Sequence, residues 1–95
     1  MFTIDEAVAA LAAAGIDIAD ERFGIKQVRA GMDVELEHGS RFPDLDVTSD
    51  DPVVTVKIAL AHLREFPDYY ERLAVMEREG EAAWTLELEP DMRTV

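Results

Sequence analysis

Apolar positions recur along this chain at spacings of three and four, the period of an amphipathic helix, from the first residues to about residue 79. In FTIDEAVAALAAAG, Ile4, Val8 and Leu11 share one face. Thr3 stands just before that run with Glu6 three residues on, which is a capping box, Phe2 is placed to staple onto Ala7, and Gly15 is a natural C-terminal stop. GIKQVRAGMDVELEHG sets Ile25, Val28, Met32 and Leu36 on a second stripe, with Gly24 and Gln27 as a weaker start signal and Gly39 just past its end. SRFPDLDVTSDD is polar, contains a proline and holds no period, so it reads as one long loop, about residues 39–51.

Beyond that loop, Asp51 and Pro52 form an N-cap and first-turn pair for a helix that runs to Phe66. Pro67 ends it and begins another, with Tyr69, Leu73 and Met76 on one face, Tyr70 alongside and Gly80 as the stop. The pattern therefore predicts an all-α fold, a small compact four-helix bundle with helices at about 3–14, 25–38, 52–66 and 67–79. Val28, Met32, Leu36, Ile58, Leu63, Phe66, Tyr69 and Leu73 are its expected core. Residues 1–80 make one helical domain. Residues 81–95 form an acidic tail whose WTLEL alternates like a strand but has no evident partner.

Composition narrows the function. Ninety-five residues support one modest core, and 48% apolar residues are enough to fold it. The chain has no cysteine, so disulfides, thiolate metal sites and cysteine nucleophiles are excluded, and any metal must use histidine and carboxylate. Twenty-one acidic against nine basic residues give a formal charge of −12. That charge disfavours direct nucleic-acid binding, which needs a basic patch. Its plain meaning is solubility, and its sharper one is a surface for a basic protein partner or a mimic of nucleic acid. No basic leader with an apolar run and no membrane-length apolar stretch is visible. A cytoplasmic protein is the expectation, with its oligomeric state and partners unspecified.

The residues that carry chemistry lie on two helices. On the helix of KIALAHLREF, at about 100° per residue, Lys57 and Arg64 mark the wet side and His62 lies almost opposite, on the face of Thr55, Ala59 and Phe66. The imidazole is thus expected to point inward and to need a partner for each nitrogen. Glu65 follows three residues later. The second helix carries the mirrored pair, Glu35 on the edge of the buried stripe and His38 three residues on, with Asp33 and Glu37 on the solvated side. A carboxylate and a histidine three apart is how helical bundles present metal ligands to their interior. Glu35, His38, His62 and Glu65 are therefore candidate ligands of one divalent ion, zinc first and iron or manganese second, with Tyr69 and Tyr70 in support. A di-iron centre would need carboxylates from two further helices, and the first helix offers only Asp5 and Glu6, which capping explains. The competing view is a metal-free core network in which His62 bonds Glu35 or a tyrosine and His38 sits at a helix end that favours a cation.

GMDVELEHG followed, after an acidic loop, by DDPVVTVKIALAHLREFPDYYERL resembles a family of short acidic proteins and domains of unknown function from bacteria and their phages. The resemblance covers about residues 23–76, with VELEHG, KIALAHL and PDYY as its distinctive pieces, and leaves the first helix and the tail outside. It implies that Glu35, His38, His62, Glu65, Tyr69 and Tyr70 occupy motif positions, and it brings no activity. DLDVTSDDPVVT alternates oxygens like a calcium loop, but Ser49 replaces the needed glycine and Thr55 stands where the bidentate glutamate belongs. The few hydroxyls have no nucleophile-elbow setting, so no enzyme reaction is indicated. Two function classes remain: a small helical metal-binding domain, and a metal-free interaction module whose acidic surface docks on a partner.

Overall fold

The computed structural model describes the backbone of residues 1–94 and the side chains of residues 1–84. Its helices are α1 (Ile4–Ala14), α2 (Ile25–Glu35), α3 (Pro52–Glu65) and α4 (Tyr69–Thr94), with short 3₁₀ turns at Ile18–Asp20, Leu36–His38 and Pro43–Leu45. The described residues contain no strand, and the fold is the expected all-α bundle.

The caps form as the sequence requires. Thr3 Oγ accepts from Glu6 N–H at 3.0 Å while Glu6 Oε1 accepts from Thr3 N–H at 2.9 Å, so two otherwise free donors are satisfied. Gly15 closes α1 at φ +73°, a left-handed conformation that costs glycine nothing. Asp51 accepts from Val53 and Val54 N–H at 2.8 and 3.1 Å. At the start of α2, Gln27 reaches back to accept from Gly24 N–H at 2.8 Å and donates to the Pro67 carbonyl at 2.9 Å. One side chain thereby caps a helix and tethers the turn between α3 and α4.

The core differs from the expected one in which faces it uses. Val28 and Met32 of α2 and Leu63 of α3 are fully buried, but α3 turns Val56, Ala59, Leu60 and Thr55 inward. Ile58, Leu36, Tyr69 and Leu73 are only partly covered, and Phe66 is an exposed helix end. On α1 the buried face is Ala7, Ala10 and Leu11, whereas Ile4 and Val8 are exposed. The small alanines let α1 lie close against α2 and α3, and that close approach selects the face. Each of the large buried side chains contributes about 1.5–3 kcal/mol relative to exposure. Asp33 is not on a free face either, since its carboxylate accepts from Phe2 N–H at 2.6 Å and pairs with Arg29 at 2.7 Å, pinning the chain start to α2.

Gly80 does not end the last helix. The backbone stays helical through Gly80 and WTLEL to Thr94, and from Val75 to Trp84 every residue is exposed. Among the residues whose side chains are described, those of α4 that pack on the bundle lie in its first turns. None of the helices is long and apolar enough to cross a membrane among the described residues.

Candidate functional site

The site is organised around a buried carboxylate. Glu35, the last residue of α2, is 2% exposed, deeper than an edge position. The chain passes from α to 3₁₀ geometry at this residue, and in a 3₁₀ turn side chains three apart eclipse. His38 is thereby stacked over Glu35, with its Nε2 3.3 Å from Oε1. The same ring is half exposed and also stands 3.6 Å from Glu37. Its position is held from the loop side, where Val47 N–H donates to the His38 carbonyl at 2.8 Å.

From the opposite flank, α3 brings His62 Nε2 to 3.8 Å from Glu35 Oε2. His62 is not the inward imidazole of the helical wheel; it keeps 31% of its side chain exposed, at the seam between α3 and α4. Its ring stacks on Tyr69 at 4.3 Å between centroids and 10° between planes. Glu65 approaches the other ring nitrogen, Nδ1, at 3.9 Å and is largely exposed, on the outer side of the histidine. Three predicted residues, His38, His62 and Tyr70, are thus brought around the Glu35 carboxylate, while Glu65 flanks His62 from outside.

Tyr70 makes the strongest contact in the cluster, donating its hydroxyl to Glu35 Oε2 at 2.7 Å. Its ring lies over Gly31, one turn before Glu35 on the same face of α2, and a phenol is about as long as the roughly 5.4 Å pitch it spans. A methyl group at residue 31 would collide with Tyr70 Cε2, so the helix carries glycine there. Sequence reasoning passed over Gly31. The signal was present: a glycine inside a helix, on the buried stripe with Val28 and Glu35, costs about 1 kcal/mol against alanine and implies a close approach.

The electrostatics follow from burial. Burial first, then the hydrogen bond to Glu35 and its charge, push the Tyr70 phenol far above the ordinary tyrosine value. Tyr69 is raised as well, by burial first and then by the charges of Glu35, Glu65, Glu37 and Glu77. Both phenols stay neutral, and Tyr70 remains a donor. Glu35 Oε1 has no hydrogen-bond partner although it is buried, because the His38 ring stands near it without aligning an N–H toward it. A buried anion of this kind is costly unless a positive charge or a further donor meets it. Among the described residues, no three histidine, aspartate or glutamate groups stand close enough together to hold a metal ion as they are.

The acidic loop spends its oxygens internally. Asp46 accepts from Thr48 and Ser49 N–H, and Asp50 accepts the Ser40 amide and hydroxyl, which hold its carboxyl below the usual range. These bonds shape the turn that supports His38.

The fold and site define a small helical domain with a histidine- and tyrosine-flanked carboxylate sealed between α2, α3 and α4. Over residues 7–79 the chain matches the family described as protein of unknown function (DUF5661), and it belongs to that family. The match takes in most of α1, which the sequence resemblance had left outside. No curated protein and no solved structure matches the chain.

Proposed function

We propose that this domain is a small cation-binding module in which Glu35, His38 and His62 take up one divalent ion, zinc before iron or manganese. The observation that carries the reading is the unpartnered Oε1 of a carboxylate 2% exposed, with His38 Nε2 beside that oxygen and His62 Nε2 beside the other, Oε2. Neighbouring ligand atoms on a tetrahedral zinc stand about 3.3–3.5 Å apart. His38 is 3.3 Å and His62 3.8 Å from the nearer Glu35 oxygen, so small ring rotations converge the three donors. His38, half exposed on a 3₁₀ turn, has the room to move. Tyr70 then orients the carboxylate as an outer partner, as supporting residues do at metal sites, and Glu65 does the same for His62 through Nδ1. The reading retains the expectations of a cytoplasmic protein of bacterial or phage origin.

The test is calorimetric titration of chelator-treated, untagged protein with zinc, beside its melting temperature with and without the ion. About one equivalent is expected, and saturation at a hundredfold over Kd should stabilise by about 2.7 kcal/mol. His38→Ala, His62→Ala and the isosteric Glu35→Gln should each abolish the gain, and the double histidine variant should add nothing further. Absence of binding, or equal binding by all three variants, overturns the proposal. The second reading, a metal-free network, is favoured by the Tyr70–Glu35 bond, which satisfies one carboxylate oxygen from within the chain. On that reading His62→Ala in chelator still costs about 0.5–1.5 kcal/mol through its lost stack.

A further inference from the structure

The apolar face that docks α4 on the bundle does not stop where the bundle stops. At about 100° per residue, Tyr69, Leu73, Met76, Gly80, Ala83 and Trp84 fall within one band of the helix. Tyr69 and Leu73 are partly covered by the domain, whereas Met76 is 60% and Trp84 63% exposed. A largely apolar notch of about 260 Å³, lined by Phe66, Tyr69, Leu73 and Met76 with Arg72 at its wall, lies at the inner end of the band. At its centre Gly80 has no neighbour within 4 Å of where a Cβ would stand, so a second helix has close access to the backbone.

Among the described residues the borders of the band are mainly acidic. Glu77 and Glu81 flank one side and Glu79 the other. Arg72 is the nearby cation, and it is committed to Asp68 at 2.8 Å and lies over the Phe66 ring. A second copy of the same helix would set acidic border against acidic border, within a protein of charge −12. A partner with an apolar stripe and lysine or arginine borders meets both features at once.

We infer that the Met76–Trp84 face of α4 is a docking surface for a basic amphipathic helix of another protein, seated with a large apolar side chain in the Phe66–Met76 notch. This surface adjoins the Glu35 cluster through Tyr69, whose other neighbour is the His62 ring, but it does not depend on a bound metal.

Trp84 is the sole tryptophan of the chain and sits in the band, so it reports occupancy directly. The probe is a synthetic amphipathic helix of about 18 residues built from leucine and lysine, with a leucine–glutamate helix of the same pattern as control. Titration with the lysine helix should shift Trp84 emission to the blue and saturate in the micromolar range, with added salt weakening it. Met76→Asp, an exposed substitution that leaves the α1–α3 core intact, should weaken the complex about tenfold or more. The inference is overturned by no shift with the lysine helix, by an equal shift with the glutamate helix, or by unchanged affinity in Met76→Asp. It is also overturned if sedimentation equilibrium shows the protein alone to be a dimer through this face, or if neutral phospholipid vesicles shift Trp84 as strongly as the lysine helix does.

Discussion

The hydroxyl of Tyr70 donates to Glu35 Oε2 at 2.7 Å, joining the start of α4 to the end of α2 through a carboxylate that has no other hydrogen-bonded partner. The bond does two things at once. It satisfies one oxygen of a buried anion, and it fixes the angle at which α4 leaves the bundle. Tyr70→Phe keeps the ring and removes only the donor, so Glu35 is left with neither oxygen paired. A loss of about 1–3 kcal/mol is expected in urea unfolding, without change in the helical circular dichroism of the folded state. A loss near zero would show that the phenol is not what satisfies Glu35.

Gly31 is the matching test from the other side of the interface. Alanine in an α-helix regains up to about 1 kcal/mol over glycine, whereas overpacking a tight contact costs about 1–3. With the Tyr70 ring held by its bond to Glu35, Gly31→Ala should come out destabilising. In the Tyr70→Phe background the ring is free to retreat, and the same substitution should cost less, so the double-mutant cycle should show coupling between the two sites. A stabilising Gly31→Ala would remove the close-approach argument.

Alkaline pH acts on the same pair. The Tyr70 phenol is raised in the folded state above its value in the unfolded chain, chiefly by burial and then by Glu35, and Tyr69 is raised in the same direction. A raised group contributes stability that is fully present below the unfolded value, about 10 for tyrosine, and is lost as pH climbs above it toward the folded value. The melting temperature should therefore fall above about pH 10, with a shallower fall in Tyr70→Phe. Absorbance titration of the phenolates near the unfolding pH checks this, since Tyr70 should ionise only as the fold is lost. Ionisation of both tyrosines at the ordinary value with the fold intact would contradict the buried bond.

Gly80 separates two descriptions of α4. Were it a helix stop in a left-handed conformation, alanine there would be strained and destabilising. Its backbone is instead helical and its surroundings are open, so Gly80→Ala should stabilise by about 0.5–1 kcal/mol and raise the ellipticity at 222 nm. A decrease in either would show that the helix ends near residue 80.

The parts of this fold that were legible in the sequence are those governed by neighbours along the chain. Thr3 with Glu6, Gly15, and Asp51 with Pro52 act through backbone groups two to four residues away, and each cap lies where the sequence places it. The Glu35–His38 pairing was legible for the same reason, because three residues of helical or 3₁₀ backbone bring the two side chains together whatever surrounds them. Gly80 misled because glycine signals both a stop and a close approach or open backbone, and the local sequence does not distinguish them.

The choices that involve a second element were settled only by tertiary packing. A periodic pattern gives a helix an apolar side, but α1 has Ile4 and Val8 on one edge and Ala7 and Ala10 on the other, and the buried edge is the one that lets three helices approach most closely. His62 moved from an expected interior position to a seam because Leu60 and Leu63 fill the interior of α3 and Tyr69 covers the imidazole from α4. By itself, then, the sequence determined that the chain is helical, where three of its helices begin and that Glu35 and His38 lie side by side, since these depend on local hydrogen bonds and backbone geometry. Which oxygen of Glu35 is satisfied, by Tyr70 across Gly31, and which is left unpaired beside His38 was decided only when α4 docked on α2, because that outcome depends on distances between residues 35 positions apart.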